Sequence, residues 1–258
     1  MRNSALRLTL ALAAVAAGTS ACRGSDSPSP LATAVKPTTT TTTVPVPTTV
    51  SLLDGVPPPT PIALAALATV PKVNVYDAPG AATVKTVMTN PTIERVQLAM
   101  FADERQGDWV HVRLPMRPNG SAGWIRASDV DLEEMKNRIV VDIGDRRVRV
   151  LDQTQAIIFD TSVAVGKPST PTALGRFFVD VWLPNPGRPY GSFMLSISGF
   201  SDVLKNFAGG RGQLALHGWA DPSVMGKNVS NGCVRMRNQD IEQLAKLAPL
   251  GTPIEIVA

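Results

Sequence analysis

The chain has 258 residues, 44% of them hydrophobic, with 25 basic against 21 acidic side chains and a formal net charge of +4. So small and scattered a surplus offers no basic stripe to nucleic acid. Two cysteines and two histidines, far apart in sequence, cannot assemble a structural zinc site, and no cofactor-binding motif is evident.

Arg2 and Arg7 give a positive start, Leu8 to Ala17 a short apolar run, and Gly18-Thr19-Ser20-Ala21 a small-residue stretch before Cys22. That is the layout of an export signal (residues 1–22), and its apolar run is too short to span a bilayer comfortably. The stretch ending in Cys22 resembles a bacterial lipoprotein signal, although Thr19 stands where such signals usually carry Leu. The resemblance implies acylation of Cys22 and anchorage at the outer face of the cytoplasmic membrane or in the cell wall. Ordinary cleavage nearby is the alternative. Residues 23–62 are rich in Ser, Thr and Pro, including Thr38 to Thr43 and Pro57-Pro58-Pro59. With almost nothing to bury, they read as a disordered spacer, or else a removable pro-segment.

Residues 63–131 carry a period of two. Val73-Asn74-Val75-Tyr76, Trp109 to Leu114 and Gly123-Trp124-Ile125 are strand-like, punctuated by Pro79-Gly80, Asn90-Pro91, Gln106-Gly107-Asp108 and Pro118-Asn119-Gly120. This predicts a small barrel. Val75-Tyr76-x-x-Pro79-Gly80, the Gly107 to Val112 hairpin and Gly123-Trp124-Ile125 resemble a bacterial SH3-like domain, a fold that by itself names no ligand. Trp109 and Trp124 read as packing residues and His111 as an ordinary strand histidine.

A polar link, Asp131 to Asn137, leads to a second domain over residues 137–258. Strands are predicted at 138–143, 147–151, 156–165, 175–182, 193–197, 213–217 and 253–257. One helix, 239–248, has Asn238 as N-cap, Ile241, Leu244, Ala245 and Ala248 as its apolar face, and Pro249 as its stop. The fold class is mainly β: two packed sheets with one or two helices.

The chemistry gathers at Ser230-Asn231-Gly232-Cys233-Val234-Arg235, downstream of His217-Gly218. Cys22 lies at the end of the export signal and is no disulfide partner for Cys233. A lone thiol near a histidine in an exported chain reads as a nucleophile. A free thiol is mostly protonated at neutrality, so His217, ending the alternating run Gln213-Leu214-Ala215-Leu216, is placed to take its proton. Gly232 allows a tight turn that leaves amides near Cys233 to stabilise an oxyanion. Arg235 shares a face with Cys233 if the segment is extended, and its planar fork suits a substrate carboxylate. These parts serve acyl transfer. The loop Gly209-Gly210-Arg211-Gly212 lacks a following Lys-Ser/Thr helix and reads as a turn, not a phosphate cradle.

His217, Ser230, Gly232, Cys233 and Arg235 match the pattern of the L,D-transpeptidase (YkuD-type) catalytic domain, which the chain resembles from about residue 137 to 258. Val165-Gly166, Thr170-Pro171-Thr172-x-x-Gly175-x-Phe177, Pro189-Tyr190-Gly191 and Gly251-Thr252-Pro253 add to the resemblance. It implies Cys233 as nucleophile, His217 as base, and the Gly218 carbonyl orienting the imidazole, with no carboxylate needed. Arg235, Ser230, Asn231 and Tyr190 are the substrate-side candidates, Ser230 as a supporting hydrogen-bonder and Tyr190 either lining the cleft or packed. Asn231 stands where many relatives have a second histidine, and Ala173 where a proline is common. The implied reaction is cross-linking of peptidoglycan stem peptides through a Cys233 thioester from a tetrapeptide stem, with carbapenem-type β-lactams as expected inhibitors. An L,D-carboxypeptidase or endopeptidase using the same thiol, and a non-catalytic wall-binding protein, are the alternatives.

Overall fold

The structure, a computed structural model, describes residues 63–207 and 209–258. The expected export signal, Cys22 and the Ser/Thr/Pro-rich segment lie outside the described residues. Among those residues no helix is long and apolar enough to cross a membrane.

The N-terminal strands are β1 (Ala63–Ala68), β2 (Lys72–Val75), β3 (Thr86–Thr89), β4 (Ala99–Gln106), β5 (Trp109–Arg113), β6 (Ala122–Arg126) and β7 (Val130–Met135). Five form an antiparallel sheet in the order β6-β5-β4-β1-β7. β2 and β3 form a hairpin tied to it by the Tyr76–Trp124 bridge. Alternation sends Val73, Val75, Met100, Val110, Val112 and Ile125 into one core. Trp109 is packed edge-on to Tyr76 at 5.2 Å, and His111 is paired with Asp103.

The expected polar link is a correction: most of it is β7, whose residues pair with all of β1, from Ala63↔Met135 to Ala68↔Val130. Asp131, Glu133 and Glu134 obscure it because β7 is a sheet edge, where charge facing solvent discourages further pairing.

The C-terminal part contains β8 (Arg138–Asp142), β9 (Arg147–Leu151), β10 (Ile157–Ser162), β11 (Val165–Gly166), β12 (Gly175–Pro184), β13 (Phe193–Phe200), β14 (Gln213–Trp219), β15 (Asn228–Ser230), β16 (Val234–Arg237), α1 (Asn238–Leu247) and β17 (Pro253–Val257). Eight strands run in the order β10-β9-β8-β17-β12-β13-β14-β16. β12 is the corner: its first residues pair with β17 and its later ones with β13, with a register irregularity between Val179 and Val181. The two halves thereby send Ile139, Val148 and Ile254 from one side, and Leu195, Leu216 and Met236 from the other, into a single core. The predicted strand 156–165 is divided in two, because after Ser162 the chain leaves β9 and Val165–Gly166 pairs in parallel with β15.

Helix α1 buries Ile241, Leu244 and Ala245 against the core. Its N-cap is Arg237, and Asn238 makes no cap. The Asn238 side chain instead accepts a hydrogen bond from the Ser192 amide at 3.1 Å, so a tertiary contact outcompetes the local one.

The N-terminal unit grips the segment after β13. Asn119 brackets the Phe200 backbone, its amide donating to the carbonyl and accepting from the N–H, both at 2.9 Å. Arg117 Nη2 donates to the carbonyls of Ser201, Leu204 and Arg211 at 3.1–3.2 Å, with the guanidinium 4.9 Å from the Phe200 ring centroid. Arg117→Ala is expected to lower the unfolding free energy by about 2–3 kcal/mol. It should also speed tryptic cleavage at Lys205 and Arg211, both exposed on the released loop. Chemical denaturation and limited proteolysis check the two effects.

Candidate active site

β14 is antiparallel to β13 and parallel to β16, with Met194↔His217 and Ser196↔Ala215 on one side and His217↔Arg235 on the other. Carrying the register back two residues sets Cys233 opposite Ala215. Side chains alternate, so Leu214, Leu216, Val234 and Met236 enter the core. The opposite face therefore carries Met194, Ser196, Ala215, His217, Cys233 and Arg235. His217 and Cys233 are diagonal neighbours on adjacent strands, a relation that places Cβ atoms about 7 Å apart, within reach of long side chains. No hydrogen bond joins thiol to imidazole among the described residues; such contacts commonly tighten only with substrate bound.

His217 is only 3% exposed. Its Nδ1 lies 2.8 Å from the Gly218 carbonyl, which can only accept, so Nδ1 carries the proton and Nε2 keeps its lone pair. The ring lies edge-on to Tyr190 at 5.1 Å and Trp219 at 5.9 Å. Burial lowers its pKa to about 4, with the Arg235 charge adding and the Gly218 carbonyl opposing. The backbone at Gly218 is closely packed. A Cβ on Gly218 would collide with the Asn238 side chain and stand 3.1 Å from the Ser192 amide. Ser192 and Asn238 are thus part of the site's framework, contributed by residues that carry no motif.

Cys233 is half-buried. Burial raises its pKa, while the Ala215 backbone and the Arg235 charge pull it down without cancelling the shift. At neutral pH the resting pair is therefore thiol and neutral imidazole. Arg235 stacks on Trp219, its guanidinium carbon 3.7 Å from the ring centroid, and its buried Nε has no hydrogen-bond partner.

The turn before Cys233 is braced from several directions. The Ser230 hydroxyl donates to the Cys233 carbonyl and accepts from the Gly232 amide at 3.1 Å. Ser230 is 1% exposed and braces the loop, the supporting hydrogen-bonding role expected of it, while its place on the substrate side is corrected. The Gly232 amide is likewise committed and cannot serve an oxyanion, which leaves the Cys233 amide. Gly232 is needed for its φ of +114°, which side-chain-bearing residues rarely adopt. The Ser230 carbonyl receives Lys167 N–H at 3.0 Å and Thr170 Oγ1 at 3.2 Å, and Thr172 Oγ1 accepts from Gly166 N–H. The outlying Gly166 and Thr170-Pro171-Thr172 pieces thus converge on this turn. Asn231 is half-buried and makes no side-chain hydrogen bond among the described residues.

A groove of about 430 Å³ opens on Cys233, walled by Tyr190, Met194, Ser196 and Gln213 and by Phe207, Gly209, Gly210, Arg211 and Gly212. Phe207 and Gly210 exchange backbone hydrogen bonds at 2.9 and 3.0 Å, so the glycine-rich segment is a tight turn. Ile93 and Glu94 of the N-terminal unit complete the wall. Among the described residues no three His, Cys, Asp or Glu side chains gather as metal ligands.

Residues 136–256 match the L,D-transpeptidase catalytic domain family, YkuD. The chain is 35% identical over 119 residues to a putative L,D-transpeptidase YkuD of Bacillus licheniformis, covering 46% of this chain and 64% of the relative. It is 33% identical over 131 residues to a putative L,D-transpeptidase YqjB of Bacillus subtilis, covering 44% and 72%. The chain thus spans somewhat under two thirds of the Bacillus licheniformis protein's length. Among solved structures it is similar to the catalytic domain of an Enterococcus faecium L,D-transpeptidase, at 19% identity and TM-score 0.38 over 48% of this chain and 99% of that one. It is also similar to L,D-transpeptidase 3 of Mycobacterium tuberculosis in complex with a faropenem-derived adduct, at 15% identity and TM-score 0.40 over 62% and 73%.

Proposed function

The chain belongs to the YkuD family of L,D-transpeptidase catalytic domains, and on that premise we propose that it cross-links peptidoglycan stem peptides by acyl transfer through Cys233. The observation that carries the proposal is the placing of Cys233, His217 and Arg235 on one sheet face beside a groove that opens on the thiol.

In the first half-reaction Sγ attacks the carbonyl of the third, diamino-acid residue of a tetrapeptide stem. Because the resting pair is uncharged, the proton passes to His217 Nε2 as the S–C bond forms, which is general-base catalysis. The Cys233 amide stabilises the developing oxyanion. Collapse breaks the C–N bond to the terminal D-Ala, and His217 returns the proton to the departing amine. In the second half-reaction the amine of another stem attacks the thioester, loses a proton to His217, and expels the thiol. The Gly218 carbonyl keeps the imidazole in the required tautomer throughout. Arg235, fixed on Trp219, favours the thiolate and offers its fork to a stem carboxylate. A carbapenem-type β-lactam would acylate the same sulfur.

Export through the N-terminal signal, tethering at Cys22 and an SH3-like, wall-facing role for the β1–β7 unit complete the proposal. Tetrapeptide muropeptides incubated with the purified protein test it. Cross-linked dimers are expected. Tripeptides without dimers would make water the acceptor and the protein a carboxypeptidase, and intact tetrapeptide would refute acyl transfer altogether.

A further inference from the structure

The segment that joins β13 to β14 is held by side chains from outside the family-matched residues 136–256. Arg117 and Asn119 lie in the connection between β5 and β6, which is braced within itself. Leu114 N–H donates to Ser121 O at 2.8 Å, and the Ser121 hydroxyl to Pro118 O at 2.7 Å. Arg117 Nη2 sits among three carbonyls, those of Ser201 and Leu204 on the outgoing limb and of Arg211 on the returning one. The limbs are joined at their foot, where Ser201 N–H donates to Gly212 O at 2.8 Å. They meet so closely that a Cβ on Gly212, whose φ is +68°, would collide with the Leu204 carbonyl and stand 3.1 Å from Arg117 Nη2. Arg117 and Arg211 also share one ring, their guanidinium carbons 4.9 and 5.8 Å from the Phe200 centroid.

The same segment is a wall of the Cys233 groove, which Phe207, Gly209, Gly210, Arg211 and Gly212 all line. Among the described residues, every side-chain hydrogen bond from the N-terminal unit to this segment and the end of β13 involves Arg117 or Asn119.

We propose that Arg117, supported by Asn119, is a positioning residue for acyl transfer. Through the three carbonyls it holds the returning limb in place beside Cys233, so the N-terminal unit is a built part of the substrate groove. The inference rests on the acyl-transfer reading and adds to it a task for residues outside the catalytic domain. A cation suits that task, because charged donors bind carbonyl oxygens more strongly than neutral ones and a single nitrogen can be shared among them. Without it the three oxygens converge with no donor between them, and the limbs part beyond the Ser201–Gly212 link. None of these bonds reaches β14 or the Cys233 turn, so the chemistry at saturation should survive their loss. Substrate that binds only with the wall in place restores it, and apparent affinity falls by the fraction of molecules that have it.

Arg117→Ala is to be compared with wild type at a temperature where circular dichroism shows both folded. KM for the tetrapeptide stem is expected to rise about tenfold, with kcat kept within about threefold. Arg117→Lys, whose ammonium keeps the charge and brings three donors, should recover most of the KM. A second readout needs no turnover: alkylation of Cys233 by iodoacetamide and by an iodoacetamido dye, the same reactive group on a bulky body. The dye should react about tenfold faster in Arg117→Ala, because the wall limits its entry, while iodoacetamide changes less than about twofold. Unchanged KM or unchanged reagent selectivity in the folded variant would overturn the proposal, as would a fall in kcat at constant KM. A shift in selectivity in a protein that yields neither dimers nor tripeptides would keep the hold of Arg117 on the groove and remove the acyl-transfer reading. If Arg117→Ala does not fold, Asn119→Ala, which releases only the Phe200 backbone, is read by the same two measurements. Its KM should rise about threefold, and no change in KM or selectivity would again overturn the proposal.

Discussion

Treated with a carbapenem-type β-lactam, the wild-type protein is expected to gain the mass of one drug molecule, and Cys233→Ala none. Turnover of a tetrapeptide stem by the variant should fall by about 10³-fold or more. The expectation is strong because the sulfur is the best nucleophile on that face. Cys233 is the free cysteine among the described residues, and the chain's other cysteine is Cys22. The Ser230 hydroxyl is spent on Gly232 and Cys233 backbone groups. Ser196 lines the groove from β13, opposite Ala215, but its hydroxyl has a pKa far above that of a thiol and is the poorer nucleophile. Nor should the variant misfold. Cys233 is half-buried in a turn held by Ser230, Lys167 and Thr170, and loss of one sulfur should cost about 1 kcal/mol. Intact-mass spectrometry with a folding control by circular dichroism reads the result. An adduct of undiminished yield on Cys233→Ala would place the chemistry on another residue.

The placing of Cys233 and His217 side by side was legible because its signal is local. Cys233, Gly232 and Arg235 lie within a few residues, and His217 ends a run whose alternation survives intact in β14. β9 and β17 were legible for the same reason: Val148 and Val150, and Ile254 and Ile256, alternate with polar neighbours and are buried as the pattern says. β16 has the same alternation, Val234 and Met236 inward, but is four residues long and reads as part of the motif.

What stayed hidden depends on contacts between distant parts of the chain. Asn238 looks like a cap from its neighbours alone, and only the approach of Ser192 shows why it is not. Gly232 reads as an oxyanion donor until the Ser230 hydroxyl is seen to occupy its amide. Glu94 carries no motif and lies in the N-terminal unit, yet it walls the Cys233 groove.

His217→Gln is expected to slow acylation by the tetrapeptide about 10²- to 10⁴-fold, the range for removal of a general base. More diagnostic is how pH acts on the wild type. With the His217 pKa at about 4, the neutral imidazole persists well below the range of an ordinary histidine, so acylation should stay level from about pH 5 to 8 and be halved near pH 4. Alkylation by iodoacetamide needs thiolate, and burial raises the Cys233 pKa. Its rate should therefore climb about tenfold per pH unit from 6 to 9 without a neutral plateau, and His217→Gln should leave it nearly unchanged. A preformed thiolate–imidazolium pair would behave oppositely, with a plateau near neutrality that the variant abolishes.

Stability supplies an independent check on the same shift. A histidine whose folded pKa lies below its unfolded value contributes fully above about pH 6.5, and that contribution is lost as pH falls toward 4. Unfolding free energies of wild type and His217→Gln should thus converge, or cross in the variant's favour, by about 3 kcal/mol between pH 7.5 and 4. If the difference between the two proteins does not move with pH, the imidazole is not held neutral. The two half-reactions would then have to start from an ion pair, a state that an imidazole 3% exposed and beside a guanidinium is built to avoid.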